Sequence, residues 1–214
     1  MNLVQKGYCR DKEIIRAIEE HRALDANQIT QLFFSNLKYG KRKAQGRLAK
    51  MAENKQLKRC RYALNEPYVY YMDKKSGQLD HLVATNWVYV WLTGKLQTWE
   101  TLYHWSYEVD LGIIRPDAFC GVKNTITGAI SWWFVELDRS ENKFDKVSKY
   151  NKYYSERLYQ GQWWAKQTKA FPRILVVTDS ASRYKTIKEL VEEDNTHGLR
   201  FDVMMLDSIR GDAK

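Results

Sequence analysis

Three features of the 214-residue sequence predict a mixed α/β protein of the α+β type. Apolar residues recur at helical spacing three times before residue 54, and two β-rich runs follow. Beyond residue 80 the predicted elements follow the order α-β-β-β-α-β-α-β. We therefore expect a small helical domain that ends in a hairpin, followed by a mixed sheet with helices on both faces.

The first two helices of the N-terminal part are predicted over DKEIIRAIEEH (residues 11–21) and DANQITQLFF (25–34). Each segment has one apolar stripe at helical spacing. Asp11 and Asp25 precede the stripes and are predicted to be N-caps.

The third helix is predicted from about Lys41 to Glu53, and it is followed by a β-hairpin over LKRCRYALNEPYVYYM. Its apolar residues Ala44, Leu48 and Met51 are expected to face inward. Three helices and a hairpin indicate a winged helix-turn-helix, in which the third helix enters the major groove of DNA. The predicted DNA-binding residues are basic side chains of this helix and ribbon: Lys38, Lys41, Arg42, Lys43, Arg47, Lys50, Lys58, Arg59 and Arg61. The alternative is a small helical domain whose basic face only contacts solvent.

The positive charge is concentrated in the first third of the chain. Residues 1–72 contain 15 Lys and Arg against 7 Asp and Glu, whereas residues 73–214 contain 20 against 19. This asymmetry predicts a polyanion-binding domain over residues 1–72, a linker over 73–80 and a second domain over 81–214. Nucleic acid, and double-stranded DNA in particular, is the expected polyanion.

Several other classes of protein are disfavoured. No apolar run approaches the roughly 18 residues of a membrane-spanning helix, and the N-terminus lacks the apolar core of a signal peptide. The three cysteines show no metal-binding spacing. No phosphate-binding glycine motif is present. The sequence therefore predicts a cytoplasmic protein that does not bind a membrane.

Two carboxylates lie at the end of the most apolar strand, GAISWWFVELD, which is expected to be central in its sheet. Glu136 and Asp138 point to the same face of the sheet. A hairpin centred between Ile126 and Thr127 would place Asp117 opposite Glu136, close enough for a divalent cation to bridge them. The alternative is that Arg115 or Arg139 pairs with Glu136 or Asp138, which neutralises the buried charge without a metal.

The motif Pro116-Asp117, followed after eighteen residues by Glu136-Leu137-Asp138, resembles the core of the PD-(D/E)xK nucleases. Asp138 stands where that pattern usually has lysine. A lysine from the following helix would then replace it, with Lys146 as the best candidate and Lys149 and Lys143 as weaker ones. The predicted catalytic residues are Asp117, Glu136, Asp138 and Lys146.

The order of a winged helix, HLVATNWVYVWL, Trp105-x-x-Glu108, RPDAF, FVELDRS and Lys146-x-x-x-Tyr150 is similar to the replication-relaxation family of plasmids and other mobile elements. This resemblance covers about residues 10–180. It implies a restriction-endonuclease-like second domain and a role in DNA replication or relaxation. The predicted metal ligands for Mg²⁺ or Mn²⁺ are Glu108, Asp117, Glu136 and Asp138, and metal-assisted nicking of DNA is the reaction that such a site would support; the resemblance by itself does not decide whether members of the family cut DNA.

The alternative function is a catalytically inert accessory or regulatory protein. Such a protein would bind DNA and dock a relaxase, a replication protein or a second copy of itself. A ligand-sensing transcriptional repressor is a third class, disfavoured because no polar pocket motif is visible.

Overall fold

The computed structural model describes residues 3–73, 75, 77–139 and 142–213. The chain divides into two compact units, the first extending to Trp91 and the second from Leu92 to Asp212. The described part contains seven α-helices, a three-stranded sheet and a five-stranded sheet. The predicted α+β fold class is confirmed.

The first unit contains the three predicted helices and the predicted hairpin. Its elements are α1 (Leu3–His21), β1 (Ala23–Asp25), α2 (Ala26–Phe34), α3 (Gly40–Glu53), β2 (Lys58–Cys60) and β3 (Val69–Tyr71). The strands are antiparallel in the order β1-β3-β2, so β3 is central. Strand β1 was not predicted, because three residues are too few to show an alternating pattern.

The two predicted N-caps have different outcomes. Asp25 caps α2 in a capping box: its carboxylate accepts hydrogen bonds from the backbone N–H groups of Asn27 and Gln28, and the Gln28 side chain accepts one from Asp25 N–H. The prediction for Asp11 is wrong, since α1 already begins at Leu3. Asp11 lies inside that helix and is buried.

Helix α4 (Leu79–Lys95) is apolar nearly all round, and polar side chains join it to the first unit. Gln28 Nε2 donates to Val83 O over 2.7 Å, and Asn86 Nδ2 donates to Ala23 O over 2.6 Å. The units accordingly divide after Trp91, whereas the sequence predicted a linker at 73–80. Independent folding of the two parts stays a prediction, and Lys74 and Ser76 of that linker lie outside the described residues.

The second unit contains the elements predicted after α4, in the predicted order, and one further helix at its end that was not predicted. Its strands are β4 (Glu100–Tyr107), β5 (Ala118–Asn124), β6 (Ile130–Asp138), β7 (Arg173–Thr178) and β8 (Phe201–Met205), and its helices are α5 (Lys146–Ser155), α6 (Ala181–Asp194) and α7 (Leu206–Asp212). Two short 3₁₀ helices, Leu158–Gly161 and Trp163–Gln167, follow α5.

The five strands lie in sequence order, with β4, β5 and β6 antiparallel and β6, β7 and β8 parallel. Strand β6 is central, as its apolar sequence predicted. Phe134 and Val135 point to opposite faces of the sheet, and both are fully buried. The carboxylates at the end of β6 are therefore held by a strand that is covered on both sides.

Candidate nucleic-acid interface and carboxylate site

Helix α3 buries the three apolar residues that the sequence assigned to its inner face, Ala44, Leu48 and Met51. Its cations do not share one outer face. A helix turns once every 3.6 residues, so Lys41, Gln45 and Ala49 form one stripe and Lys43, Arg47 and Lys50 form another. The two stripes lie on opposite sides of the buried face. We call the second stripe the outer face of α3.

An open groove of about 410 Å³ lies between α3 and the hairpin. Helix α3 contributes its first stripe to the lining, and the hairpin contributes Arg59, Arg61 and Tyr68, with Glu66 as an acidic neighbour. We call this surface the basic groove. The basic groove brings together cations of α3 and of the hairpin, whereas the outer face contains cations of α3 alone.

Tyr68 holds both arginines of the basic groove. The guanidinium carbon of Arg59 lies 4.5 Å from the centre of the Tyr68 ring, and that of Arg61 lies 4.7 Å from it. Such stacking restrains a guanidinium while leaving its N–H donors at its edge. The groove therefore presents oriented donors for an anion.

The remaining predicted DNA-binding residues occupy different positions. Lys38 lies in the turn before α3, and Arg42, Lys43 and Lys50 are exposed on the helix. Lys58 donates to the Asp73 carbonyl oxygen over 2.7 Å. Arg47 was expected to face outward, yet its Nε donates to Asp11 Oδ1 over 2.6 Å and its guanidinium forms a salt bridge with that carboxylate. Arg47 thus joins α3 to α1.

The predicted register of β5 and β6 is confirmed. Ala118 pairs with Val135. Asp117 directly precedes β5, so this register sets it opposite Glu136. Asp117 Oδ2 accepts a hydrogen bond of 2.7 Å from Leu137 N–H. This bond fastens the acidic residue of one strand to the backbone of the other.

Glu136 has a partner at each carboxylate oxygen. Tyr150 donates its hydroxyl to Oε1 over 2.8 Å, and Lys146 Nζ lies 2.7 Å from Oε2. Both partners come from α5, where four residues separate side chains on the same face. The structure therefore brings Lys146 to the carboxylate beside which the nuclease resemblance required a lysine.

Burial dominates the electrostatics of this site. Glu136 is 2% exposed, and the loss of solvation raises its pKa to about 7; Lys146 opposes this rise and the charge of Asp117 adds to it. Burial and the neighbouring Glu136 also raise the pKa of Tyr150, which keeps the phenol protonated as a donor. A carboxyl group with such a pKa changes its charge near neutral pH.

The other two predicted metal ligands form ion pairs with arginines. Asp138 accepts a hydrogen bond of 2.8 Å from Arg183 Nε, and Glu108 Oε1 lies 3.4 Å from an Arg115 nitrogen. Within the described ranges, no three His, Cys, Asp or Glu side chains are arranged to hold a metal ion. The four predicted ligands are thus not assembled as one shell in this structure.

Arg183 is a site residue that sequence reasoning missed. It lies in the first turn of α6, directly after β7, and β7 is parallel to β6. Parallel neighbours end at the same edge of a sheet, so this arginine lies beside the end of β6. Arg139, the alternative partner suggested by sequence, donates instead to Asp179 Oδ2 over 2.6 Å.

A basic helical unit with a hairpin, joined to a mixed sheet with a buried carboxylate–lysine pair, defines a two-unit α+β protein. The replication-relaxation family model matches residues 15–78 and 73–174, and the chain belongs to this family. Membership indicates a role in the replication or relaxation of plasmid or other mobile-element DNA. No curated protein and no solved structure is significantly similar to the chain. None of its described helices is both long enough and apolar enough to cross a bilayer.

Proposed function

We propose that the chain binds duplex DNA through its first unit and acts in the replication or relaxation of a plasmid or other mobile element. The basic groove is the observation that supports this proposal. Arg59 and Arg61 are oriented by Tyr68, and Lys41 lines the same groove from α3. Planar guanidinium groups suit phosphate oxygens, and a groove between a helix and a hairpin suits a curved DNA backbone.

The experiment is a titration of labelled duplex DNA with the full chain at several salt concentrations, followed by fluorescence anisotropy. The logarithm of the affinity should fall linearly with the logarithm of salt, by roughly 0.9 for each phosphate neutralised. Binding that is absent at low salt, or that does not depend on salt, would contradict the proposal.

A second candidate function is metal-assisted nicking of DNA by Asp117, Glu136 and Lys146. Two carboxylates on adjacent strands with a lysine at one of them are the observation that favours it. Carboxylate oxygens suit Mg²⁺ or Mn²⁺, so Asp117 and Glu136 would hold the ion, which would activate a water molecule when bound. Glu108 and Asp138, the other two predicted ligands, form ion pairs with Arg115 and Arg183, and their part in metal binding stays a prediction.

Lys146 would have a second role in this reaction, which is to contact the phosphate. Its side chain is 27% exposed although it contacts a carboxylate that is 3% exposed. Release of Glu136 would leave its ammonium group able to donate to a phosphate oxygen and stabilise the charge that develops there.

Nicking is tested on supercoiled plasmid that contains the origin of the parent element, with Mg²⁺ or Mn²⁺ and with EDTA. Asp117→Asn and Glu136→Gln should abolish the open-circle product, and Lys146→Ala should slow its formation. Binding of Mn²⁺, followed by electron paramagnetic resonance, should be lost in the first two variants and kept in the third.

A chain that binds this DNA but neither binds Mn²⁺ nor cuts is an accessory protein. Its second unit would then dock a relaxase, a replication protein or a second copy of the chain.

A further inference from the structure

The tip of the β2–β3 hairpin is apolar although its base is basic. Leu64 is 86% exposed and Tyr62 is 53% exposed, and Ala63 lies between them. These residues follow Arg59 and Arg61 directly in the chain. A single exposed leucine needs no explanation, but an apolar tip on a strongly basic ribbon differs from the usual solvated turn.

The backbone of this tip is fixed. The Arg61 guanidinium donates to the Leu64 carbonyl oxygen over 3.0 Å, and Glu66 N–H donates to Ala63 O over 3.1 Å. Arg61 is itself stacked on Tyr68, and Lys75 Nζ lies 5.3 Å from the centre of the Tyr62 ring. The leucine is therefore presented on a braced turn, with Arg61 bonded to its carbonyl oxygen and Lys75 near the ring of Tyr62.

We propose that this tip is a wedge that unstacks one base step of bound duplex DNA, with Leu64 as the inserted side chain and Tyr62 beside it. Apolar side chains inserted between base pairs partly unstack and kink the duplex, and phosphate contacts offset the free-energy cost of unstacking. Arg59 and Arg61 would supply those contacts on either side of the step. The wedge rests on the proposed DNA binding and gives it a purpose, because replication requires strand opening.

The charge around the tip favours DNA over a second copy of the chain as its partner. A ribbon with Lys58, Arg59 and Arg61 would repel the same ribbon of a second copy, whereas it attracts the phosphates that flank a base step. Duplex DNA offers both a base step for the apolar tip and phosphates for the cations of the hairpin.

The experiment uses the full chain in EDTA and a short duplex with one central TA step, the kind of step that unstacks most readily. The fluorescent base 2-aminopurine replaces the adenine of that step, and its emission rises when it is unstacked. Binding is followed separately by anisotropy of an end label. The variants are Leu64→Ser and, as a matched control, Ile126→Ser. Ile126 is an apolar residue, 78% exposed, at the tip of the β5–β6 hairpin.

Wild type and Ile126→Ser are expected to bind and to raise the 2-aminopurine emission several-fold, whereas Leu64→Ser should bind with little loss of affinity and leave the emission near that of free DNA. Binding without any rise, or a rise that persists in Leu64→Ser, overturns the wedge and leaves the proposed DNA binding intact. Absence of binding by wild type overturns both. Self-association that Leu64→Ser abolishes, seen by light scattering, would show that the tip joins two copies and also overturn the wedge.

Discussion

Charged side chains that the sequence places far apart become paired in this fold. Lys146 binds Glu136, Arg183 binds Asp138 and Arg47 binds Asp11. Each pair joins two different elements and neutralises a carboxylate that is at most 8% exposed. Removal of one partner leaves a buried charge, which costs more than the pair itself contributes. These cations therefore have a structural role in the fold.

Glu136 predicts a distinct pH dependence of stability. Its pKa is raised from 4.5 to about 7 in the folded state, so the folded chain binds this proton more tightly than the unfolded chain does. The contribution of Glu136 to the free energy of unfolding is fully present below about pH 4.5 and is lost as the pH rises through about 7.

Glu136→Gln should remove this dependence. Between about pH 5 and pH 8, wild type should lose roughly 1–3 kcal/mol relative to the variant, measured by urea unfolding. Glu193→Gln, a change at an exposed glutamate of α6, should follow wild type. Parallel pH profiles of wild type and Glu136→Gln would contradict the assignment of this titration to Glu136.

The basic groove and the outer face of α3 make opposite predictions for DNA binding. Replacement of Lys41, Arg59 and Arg61 by alanine should weaken duplex binding and reduce the salt slope by about 2 to 3, since roughly 0.9 is lost for each phosphate contact. Lys43→Ala combined with Lys50→Ala should change both much less. If the double substitution of Lys43 and Lys50 weakened DNA binding as much as the triple substitution or more, measured by anisotropy, the interface would lie on the outer face of α3.

Arg47 is best left out of such a comparison. Arg47→Ala would leave Asp11, 6% exposed, without its guanidinium partner. The expected cost is about 1–3 kcal/mol of stability, visible in thermal unfolding, so weaker DNA binding by this variant would not report on phosphate contact. Thermal unfolding like that of wild type would contradict the structural role.

At the level of elements, the start of α3 depends on close approach of the backbone. A Cβ atom added to Gly40 would lie 2.2 Å from the Phe34 carbonyl oxygen, within the turn that joins α2 to α3. Gly46, in the same helix, has nothing within 4 Å of such an atom. The close approach of the backbone therefore requires a glycine at position 40, whereas no such contact requires one at position 46.

Gly40→Ala should destabilise the first unit by about 1–3 kcal/mol or more, because the backbone must move to relieve the clash. Gly46→Ala should stabilise it by about 0.5–1 kcal/mol, because alanine favours the helical conformation. Urea unfolding monitored by circular dichroism measures both. A Gly40→Ala protein as stable as wild type would show that the α2–α3 turn can shift freely.

For the molecule as a whole, α4 decides where the first unit ends. Trp87 Nε1 donates to Asp25 Oδ2 over 3.2 Å and Asn86 Nδ2 donates to the carbonyl oxygens of His21 and Ala23, all in buried surroundings. These bonds satisfy groups at the start of α2 and beside β1. Their loss would expose part of the core of the first unit.

A fragment of residues 1–95 is accordingly expected to unfold cooperatively, whereas a fragment of residues 1–72 should be much less stable or unfolded. Thermal circular dichroism of the two fragments makes the comparison. Light proteolysis near Lys75 should then release a basic fragment that does not stay folded. A stable fragment 1–72 would restore the domain boundary that the composition of residues 73–80 predicted.

The sequence by itself determined the order of the elements other than β1, α7 and the two 3₁₀ helices, and it also determined the α+β class, the family and the β5–β6 register. Each depends on local information: apolar periodicity, turn residues and the length of the segment between Asp117 and Glu136. The inner face of α3 and the central position of β6 followed from the same periodicity. Alternating and helical patterns fix which side of an element is buried, whatever covers it.

Only the tertiary structure decided which charges meet. Spacing on α5 allowed Lys146 to reach Glu136, but the partnership of Arg183 with Asp138 depends on parallel packing of β6 and β7. The basic groove likewise requires the hairpin to lie against one particular side of α3. Long side chains of distant elements are brought together by packing, and no periodicity within either element specifies its neighbour. The same reason explains why α4 was assigned by composition to one unit and packs with the other.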